Sequence, residues 1–394
     1  MLLVALPAAA TAQVPPASDS GTTVEHVVSD ADPTQRYAMF LPPRYDPAAC
    51  WPLLIVMDPR GRAMVPLERL RPAAARYGYL VVSSYNTLSD GPGEPNVTAV
   101  NAILRDVEEL AAVDCTRLYL VGLSGTARMA WEFAFRLEGR VPAVIGFGAG
   151  LPWGVPAFRI AAQRLGTPFS YFGGAGQTDY NYHELRALDR TLDEIGIRHR
   201  IEFYPGPHDW PPASQFLRAV EWLELDAIRR GLRADSTALV AALFAERLSE
   251  AGSALRDGRG YRALLLYRAL REDFDGLHHI DRVPQIVDSL AGAPEVQAAE
   301  ARLEALAREH QRYRDRLGDF VQTVEVSKRP MTRDQAIARL QIERLQERAE
   351  NPADTLDMLA ALRMLATAFV HTSFYEPRRY LEERDFHRAL LMLE

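Results

Sequence analysis

Residues 118–131 read Leu-Tyr-Leu-Val-Gly-Leu-Ser-Gly-Thr-Ala-Arg-Met-Ala-Trp, and no other stretch of the chain constrains the fold as strongly. Four apolar residues run into Gly122-Leu123-Ser124-Gly125, and Met129, Phe133 and Leu137 follow at near-helical spacing. The pattern predicts a buried strand, a tight turn carrying one serine, then a helix. A serine hydroxyl is a weak nucleophile, so chemistry at Ser124 needs a sharp turn that exposes it to a base. Small neighbours let the backbone come close to a substrate, and the N–H of Gly125 is placed to donate to a developing oxyanion. The usual form of such an elbow is G-x-S-x-G. Here Thr126 takes the second glycine position, which predicts a helix set slightly farther from its strand. The competing reading is an ordinary strand–turn–helix with an idle serine.

The surrounding chain supplies the context. Residues 23–30 and 35–42 read as two antiparallel edge strands. Apolar runs at 51–57, 79–83, 143–147, 168–172 and 200–204 read as further strands, the first of them a central parallel one. Helical patterns fill 66–77, 97–112, 182–195 and 212–230. This alternation predicts an α/β fold with a doubly wound, mostly parallel sheet. Sites in such sheets gather outside the C-terminal ends of the strands. Ser124, Asp179 and His208 each fall just past such an end, on three separate strands.

From about residue 232 the strand signals stop, and Ala, Leu, Arg and Glu dominate. Amphipathic helices are expected at 238–251, 259–273, 279–291, 294–318, 332–349, 353–370, 375–382 and 384–393. Ala245, Leu248, Gly252, Gly260, Tyr261, Ala263 and Tyr267 resemble tetratricopeptide helix pairs, but no clean period of about 34 residues emerges, so a plain helical bundle stays equally open. The expected organisation is a leader at 1–22, an α/β catalytic domain at 23–230 and an all-helical domain at 232–394. The length of 394 residues suits that division, at roughly 150 residues per domain.

A net charge of −7 argues against a nucleic-acid partner. Met1–Ala12 is apolar and ends in Ala10-Thr11-Ala12, the small-residue pattern of a cleavable secretory signal, although it lacks a basic start. Export to the periplasm or outside the cell is therefore expected. No later run approaches the roughly 18 apolar residues of a membrane span. Cys50 and Cys115 each precede a predicted buried strand at a similar distance from its end. If those strands are neighbours, the spacing allows a disulfide, and it equally allows two reduced core cysteines. His278 and His279 are adjacent, near Asp275 and Asp281, and read as a solvated loop, so neither a metal site nor a cofactor is expected.

A serine hydrolase needs a histidine to take the serine's proton and an acid to orient that histidine. Along an α/β-hydrolase chain the order is Ser, Asp or Glu, then His. Ser124, Asp179 and His208 satisfy type, order and position together. Asp58 is the main rival acid, and Glu184 a weaker one. Residues 23–230 resemble the α/β-hydrolase superfamily, nearest its secreted esterase, polyhydroxybutyrate-depolymerase-like and feruloyl-esterase-like branch. The resemblance rests on Gly122-Leu123-Ser124-Gly125, Gly176-Gln177-Thr178-Asp179-Tyr180-Asn181 and Gly206-Pro207-His208-Asp209-Trp210-Pro211. It implies the fold, the Ser124–His208–Asp179 roles and hydrolysis of small-molecule or polymeric esters. The Asp58-Pro59-Arg60-Gly61-Arg62 loop replaces the His-Gly often found there. Pro59 has no N–H, so Arg60 or Gly61 is the expected second oxyanion donor beside Gly125. Tyr85, Trp153, Tyr180 and Trp210 are candidate walls of a substrate pocket. A serine peptidase or amidase would use the same triad. An inactive scaffold would instead bind a partner through the helical domain, which is also a candidate lid or surface for self-contact.

Overall fold

The computed structural model describes residues 21–110, 113–137, 139–152, 154, 156–158, 162, 169–234, 236–326 and 331–393. Residues 1–20 of the leader expected at 1–22, and the pocket candidate Trp153, lie outside the described residues. Strands β1 (Thr22–Val28) and β2 (Arg36–Leu41) pair antiparallel, and β2 pairs antiparallel with β4 (Leu80–Ser84). A parallel series then links β4 to β3 (Trp51–Met57), β5 (Val113–Leu123), β6 (Ala143–Phe147) and β7 (Ser170–Gly176). With β8 (His199–Tyr204) the order of the eight-stranded sheet is β1-β2-β4-β3-β5-β6-β7-β8. The intervening helices are α1 (Met64–Tyr77), α2 (Glu94–Leu110), α3 (Gly125–Arg136), α4 (Tyr182–Ile195) and α5 (Ala213–Arg229). This is a mostly parallel α/β sheet followed by an all-helical region, as the alternation of patterns implies. Ile55, Val56, Leu120, Val121, Val144 and Ile145 are fully buried, which is why these strands read as continuous apolar runs.

Two local readings change. The strand expected at 168–172 is β7, and it runs on through Gly173, Gly174 and Gly176. Two of those glycines serve packing: a side chain on Gly173 would strike Tyr171 and Ile201, and one on Gly176 would strike the Gly206 carbonyl. The disulfide expectation is corrected as well. β3 and β5 are neighbours, but Trp51 faces Val113 while Leu53 faces Leu118, so β5 carries extra residues there, Cys115 among them. The two cysteines thereby lose a common level, and both are exposed free thiols.

The approach of α3 to β5 is close. A Cβ on Gly122 would lie 2.5 Å from the Thr126 carbonyl oxygen and 2.6 Å from the Ala127 nitrogen, so only glycine fits. Thr126 does not hold the helix off. Its Oγ1 donates to the Met57 carbonyl at 2.6 Å, and it accepts from the Leu123 N–H at 3.1 Å. One hydroxyl ties the start of α3 to the ends of β5 and β3.

The chain divides into two compact units: residues up to Gly174 with 184–202 and 209–239, and residues 175–183 and 203–208 with 240–394. The short segments carrying Asp179 and His208 thus belong with the helical unit. Its helices are α6 (Thr237–Arg256), α7 (Gly260–Phe274), α8 (Val283–Ala291), α9 (Pro294–Val326), α10 (Arg333–Leu340), α11 (Ile342–Glu350), α12 (Thr355–Val370), α13 (Glu376–Glu382) and α14 (Phe386–Leu393). A π-helical turn at His371–Tyr375 joins α12 to α13. The helix expected at 332–349 breaks in two at Gln341, whose φ of 55° is left-handed. α9 is longer than expected, and Leu303, Leu306, His310, Tyr313, Leu317, Phe320 and Val324 form its buried stripe at alternating spacings of three and four. Two core clusters form on that stripe. Phe320 and Val324 pack with Leu340, Tyr380, Ala389 and Met392, and Tyr313 packs with Leu345, Ala361, Met364 and Ala368.

His310 breaks this apolar stripe. It is 3% exposed, its Nε2 meets Thr367 Oγ1 at 3.2 Å, and its ring centroid lies 4.9 Å from that of His183. Burial pushes the imidazole down to about 4, with the Arg314 and Arg363 charges adding and Glu309 opposing.

Three outcomes follow from this packing. A thiol titration of the folded, unreduced protein should find both cysteines reactive. Thr126→Val should cost about 2 kcal/mol in urea denaturation, because it removes the hydroxyl's hydrogen bonds to the buried Met57 carbonyl and Leu123 N–H, whereas Thr126→Ser should largely restore stability. His310 titrates near 4 when folded and near 6.5 when unfolded, so the unfolded chain binds more protons between those values. Stability present above pH 6.5 should therefore be lost as pH falls toward 4, by about 3 kcal/mol. Denaturation curves at several pH values should show that loss in the wild type and much less of it in His310→Met.

Candidate functional site

Ser124 sits between β5 and α3 with φ 57° and ψ −129°, outside the common regions for a residue with a side chain. Such a conformation costs on the order of 1–3 kcal/mol and persists only where the surroundings impose it. Here Ser124 N–H donates to the Phe147 carbonyl of β6 at 2.8 Å, and its own carbonyl accepts from Ala127 N–H at 3.0 Å. Its hydroxyl does not cap α3. Among the described residues no acceptor takes the N–H of Gly125, which stands at the first position of the helix. Gly125 is also hemmed in: a Cβ there would lie 2.6 Å from Ser89 Cβ. The elbow therefore presents a strained serine beside a helix N-terminus with a donor to offer.

Asp179 and His208 lie on the segments that follow β7 and β8. Those segments are laced together. Gln177 N–H donates to the Tyr204 carbonyl at 2.8 Å, and Thr178 N–H and Oγ1 both donate to the Gly206 carbonyl, at 3.0 and 2.9 Å. Gly176 permits this approach, since a Cβ on it would lie 2.2 Å from the Gly206 oxygen. Asp179 is 1% exposed, and both of its carboxylate oxygens lie 2.9 Å from His208 Nδ1. Asn181 N–H donates to the same carboxylate at 2.7 Å. An ionised carboxylate only accepts, so Nδ1 carries the proton and Nε2 keeps its lone pair. The Tyr180 ring packs on the imidazole with centroids 4.3 Å apart. The pair can thus take up a proton at Nε2 while the carboxylate stabilises the cation that forms.

The remaining candidates are placed elsewhere. Arg60 N–H donates to Asp58 Oδ1 at 2.8 Å and Gly61 N–H to the Asp58 carbonyl at 3.3 Å, so both proposed second oxyanion donors are committed within their own loop. The reason is Asp58 itself. It is fully buried and also accepts from Arg62 N–H at 2.9 Å and from Trp210 Nε1 at 2.6 Å. Burial raises its carboxyl, but the Trp210 and Arg62 donors outweigh that and hold it below the usual carboxylate range. Asp58 organises its loop, and its hydrogen-bonding capacity is taken. Glu184, the other rival acid, pairs with Arg128 at 2.6 Å and accepts from Gly150 N–H at 2.9 Å.

Trp210 is buried against Phe147 and Phe216, so it is a core residue and not a pocket wall. Tyr85 is turned toward β1: its hydroxyl donates to the Glu25 carbonyl at 2.9 Å and its ring stacks on His26. Of the described aromatic candidates, Tyr180 alone is shown packing on the His208 imidazole.

One residue next to the pair escaped the sequence reading. Arg363, on α12, is 1% exposed, and its Nε donates to the Gln177 carbonyl at 2.6 Å. A signal for it existed: Arg363 falls among Ala360, Ala361, Met364 and Thr367 on the buried face of its helix, where an arginine needs a reason. Among the described residues no group of three or more His, Cys, Asp or Glu side chains is arranged to hold a metal ion, and no helix is long and apolar enough to cross a membrane.

No family model matches the sequence, and no curated protein matches it. Similar solved structures include the fluorophosphonate-binding serine hydrolase F of Staphylococcus aureus, at 13% identity and a TM-score of 0.44, covering 52% of this chain and 98% of that one. A ferulic acid esterase is similar at 16% identity and a TM-score of 0.40, covering 52% of this chain and 97% of its own. Esterase B from Lactobacillus rhamnosis is similar at 17% identity and a TM-score of 0.42, covering 54% of this chain and 87% of its own.

Proposed function

We propose that the chain is a serine hydrolase that cleaves carboxylic esters, with Ser124 as nucleophile, His208 as general base and Asp179 as the group that orients it. The observation that carries the reading is the backbone of Ser124, held at φ 57° in a strand-to-helix turn beside the uncommitted N–H of Gly125. Strain of this kind clusters at functional sites, and here it falls on a half-buried serine at a strand-to-helix turn, which supports a nucleophile. The Asp179–His208 hydrogen bond supports the second half of the reading, because it selects the tautomer a general base requires.

In the first step Ser124 Oγ attacks the ester carbonyl carbon while its proton passes to His208 Nε2. The Gly125 N–H donates to the oxyanion of the tetrahedral intermediate. The intermediate collapses, the C–O bond to the alcohol breaks, and His208 returns the proton to the departing oxygen. Water then attacks the acyl-enzyme with His208 again as base, releasing the acid and restoring Ser124. Tyr180, packed on the imidazole, is the candidate aromatic contact for the substrate. The apolar, alanine-rich leader supports a site of action outside the cytoplasm.

A fluorophosphonate probe should label the folded protein, and mass mapping should find the adduct on Ser124. Ser124→Ala should abolish labelling and lower kcat on p-nitrophenyl esters by about 10⁴-fold or more, and Asp179→Asn by about 10⁴-fold. A matched ester and anilide pair should show the ester cleaved faster. Full esterase activity in a folded Ser124→Ala protein would rule the assignment out, and absence of both labelling and turnover would favour an inactive scaffold.

A further inference from the structure

Asp179 and His208 are held by more than their own loops. Arg363 reaches the acid's segment from both sides. Its Nε donates to the carbonyl of Gln177, two residues before Asp179, and its guanidinium carbon lies 3.6 Å from the ring centroid of Tyr182, three residues after it. Each of these anchors is itself fixed. Gln177 N–H is bonded to the Tyr204 carbonyl on the segment that leads to His208. Tyr182 N–H donates to the Asp179 carbonyl at 3.1 Å, and its ring packs on Phe203 with centroids 4.3 Å apart. Gln177 is therefore held through both of its backbone polar groups, by the base's segment at its N–H and by α12 at its C=O.

Burying a guanidinium is costly unless its donors and charge find partners. The side chain lies in the core of the helical unit, where a leucine or methionine would pack without that cost. The hydrogen bond to Gln177 and the cation–π contact with Tyr182 act on the short stretch that carries the acid. On the far side, the Arg363 carbonyl accepts from Thr367 Oγ1 at 2.8 Å, and Thr367 Oγ1 also meets His310, so α12 is tied to the buried stripe of α9 at the same level.

We infer that Arg363 is a positioning residue for the Asp179–His208 pair, and that the helical unit, with which both segments group, holds the base and acid in register. The inference rests on the serine-hydrolase reading for its catalytic consequence, but the positioning itself is measurable without turnover. The physical reason is tolerance. A carboxylate must hold an imidazole to within about 0.5 Å for efficient proton transfer. A displacement of about 1 Å costs on the order of 10²-fold in rate.

The test compares Arg363→Met with Met364→Ala in the full-length protein. Met364 is 2% exposed on the same helix and packs in the Tyr313–Leu345 cluster, so its truncation destabilises the helical unit by a cavity alone. Arg363→Met should lower kcat on a p-nitrophenyl ester about 10²-fold with KM within about threefold. It should also shift or broaden the downfield Nδ1 proton resonance of His208, assigned by its loss in Asp179→Asn. Met364→Ala should lower the melting temperature at least as far, yet keep kcat within about twofold and leave the resonance in place. Arg363→Lys keeps the charge but loses the Nε–H. It should fold, show the same resonance change and lose about 10-fold in kcat, which keeps the test alive if Arg363→Met folds poorly. An unchanged resonance and unchanged kcat in folded Arg363 variants would overturn the inference, as would a Met364→Ala protein equally impaired in both. If the wild type proves inactive, the serine-hydrolase reading fails on its own, and the resonance still decides whether Arg363 positions the pair.

Discussion

The close contact between α3 and β5 at Gly122 is the constraint on which the elbow depends. A strand that ends under the start of a helix, with no side chain between, forces the connecting residue into an unusual backbone conformation. Ser124 is that residue. The Thr126 hydroxyl then locks the arrangement by bonding the ends of two adjacent strands, β5 and β3. The strain at Ser124 is maintained by the buried central strands on one side and by hydrogen bonds to β6 and α3 on the other. Removing either support lets the turn relax to an ordinary conformation, and the exposure of the serine would relax with it.

A similar economy governs the loops. Asp58 uses its buried carboxylate to gather Arg60, Arg62 and Trp210, so the segment after β3 is held by one charge with several donors around it. Asp179 is buried to a similar degree, but its donors are a backbone N–H and the histidine. The difference is in what the partner can do afterwards. The Trp210 indole N–H has no further proton chemistry, whereas a histidine held at Nδ1 leaves Nε2 ready to accept. Two buried aspartates after parallel strands thereby have different uses, and the partner, not the burial, sets them apart.

The helical unit follows another logic. α9 carries a buried stripe against which the shorter helices pack, and its lone histidine is kept neutral by burial and by nearby arginine charges. Where the stripe reaches Thr367 and Arg363, apolar packing gives way to a polar set aimed at Gln177 and Tyr182. Directional polar contacts of this kind specify one arrangement more strictly than apolar contacts do. This is a physical reason for the segments carrying Asp179 and His208 to group with helices far away in sequence.

Periodicity in the sequence determined the alternation of strands and helices, the change to an all-helical region near residue 232, and the elbow around Ser124. These properties are legible because they depend on the spacing of apolar residues and on small residues at a tight turn, both local. Asp179 and His208 were legible as candidates for the same reason, since each follows an apolar strand. Tertiary structure alone decided what each polar group is bonded to. It gave Asp58 and Trp210 to each other, committed the N–H groups of Arg60 and Gly61, and turned Tyr85 toward β1. It separated the two cysteines through an irregular step in the β3–β5 register that no spacing rule foresees. It also brought Arg363 to Gln177, across 186 residues of chain. Hydrogen bonds at that separation depend on the packing of whole helices, and the pattern along a single helix records which face is buried but not what that face will meet.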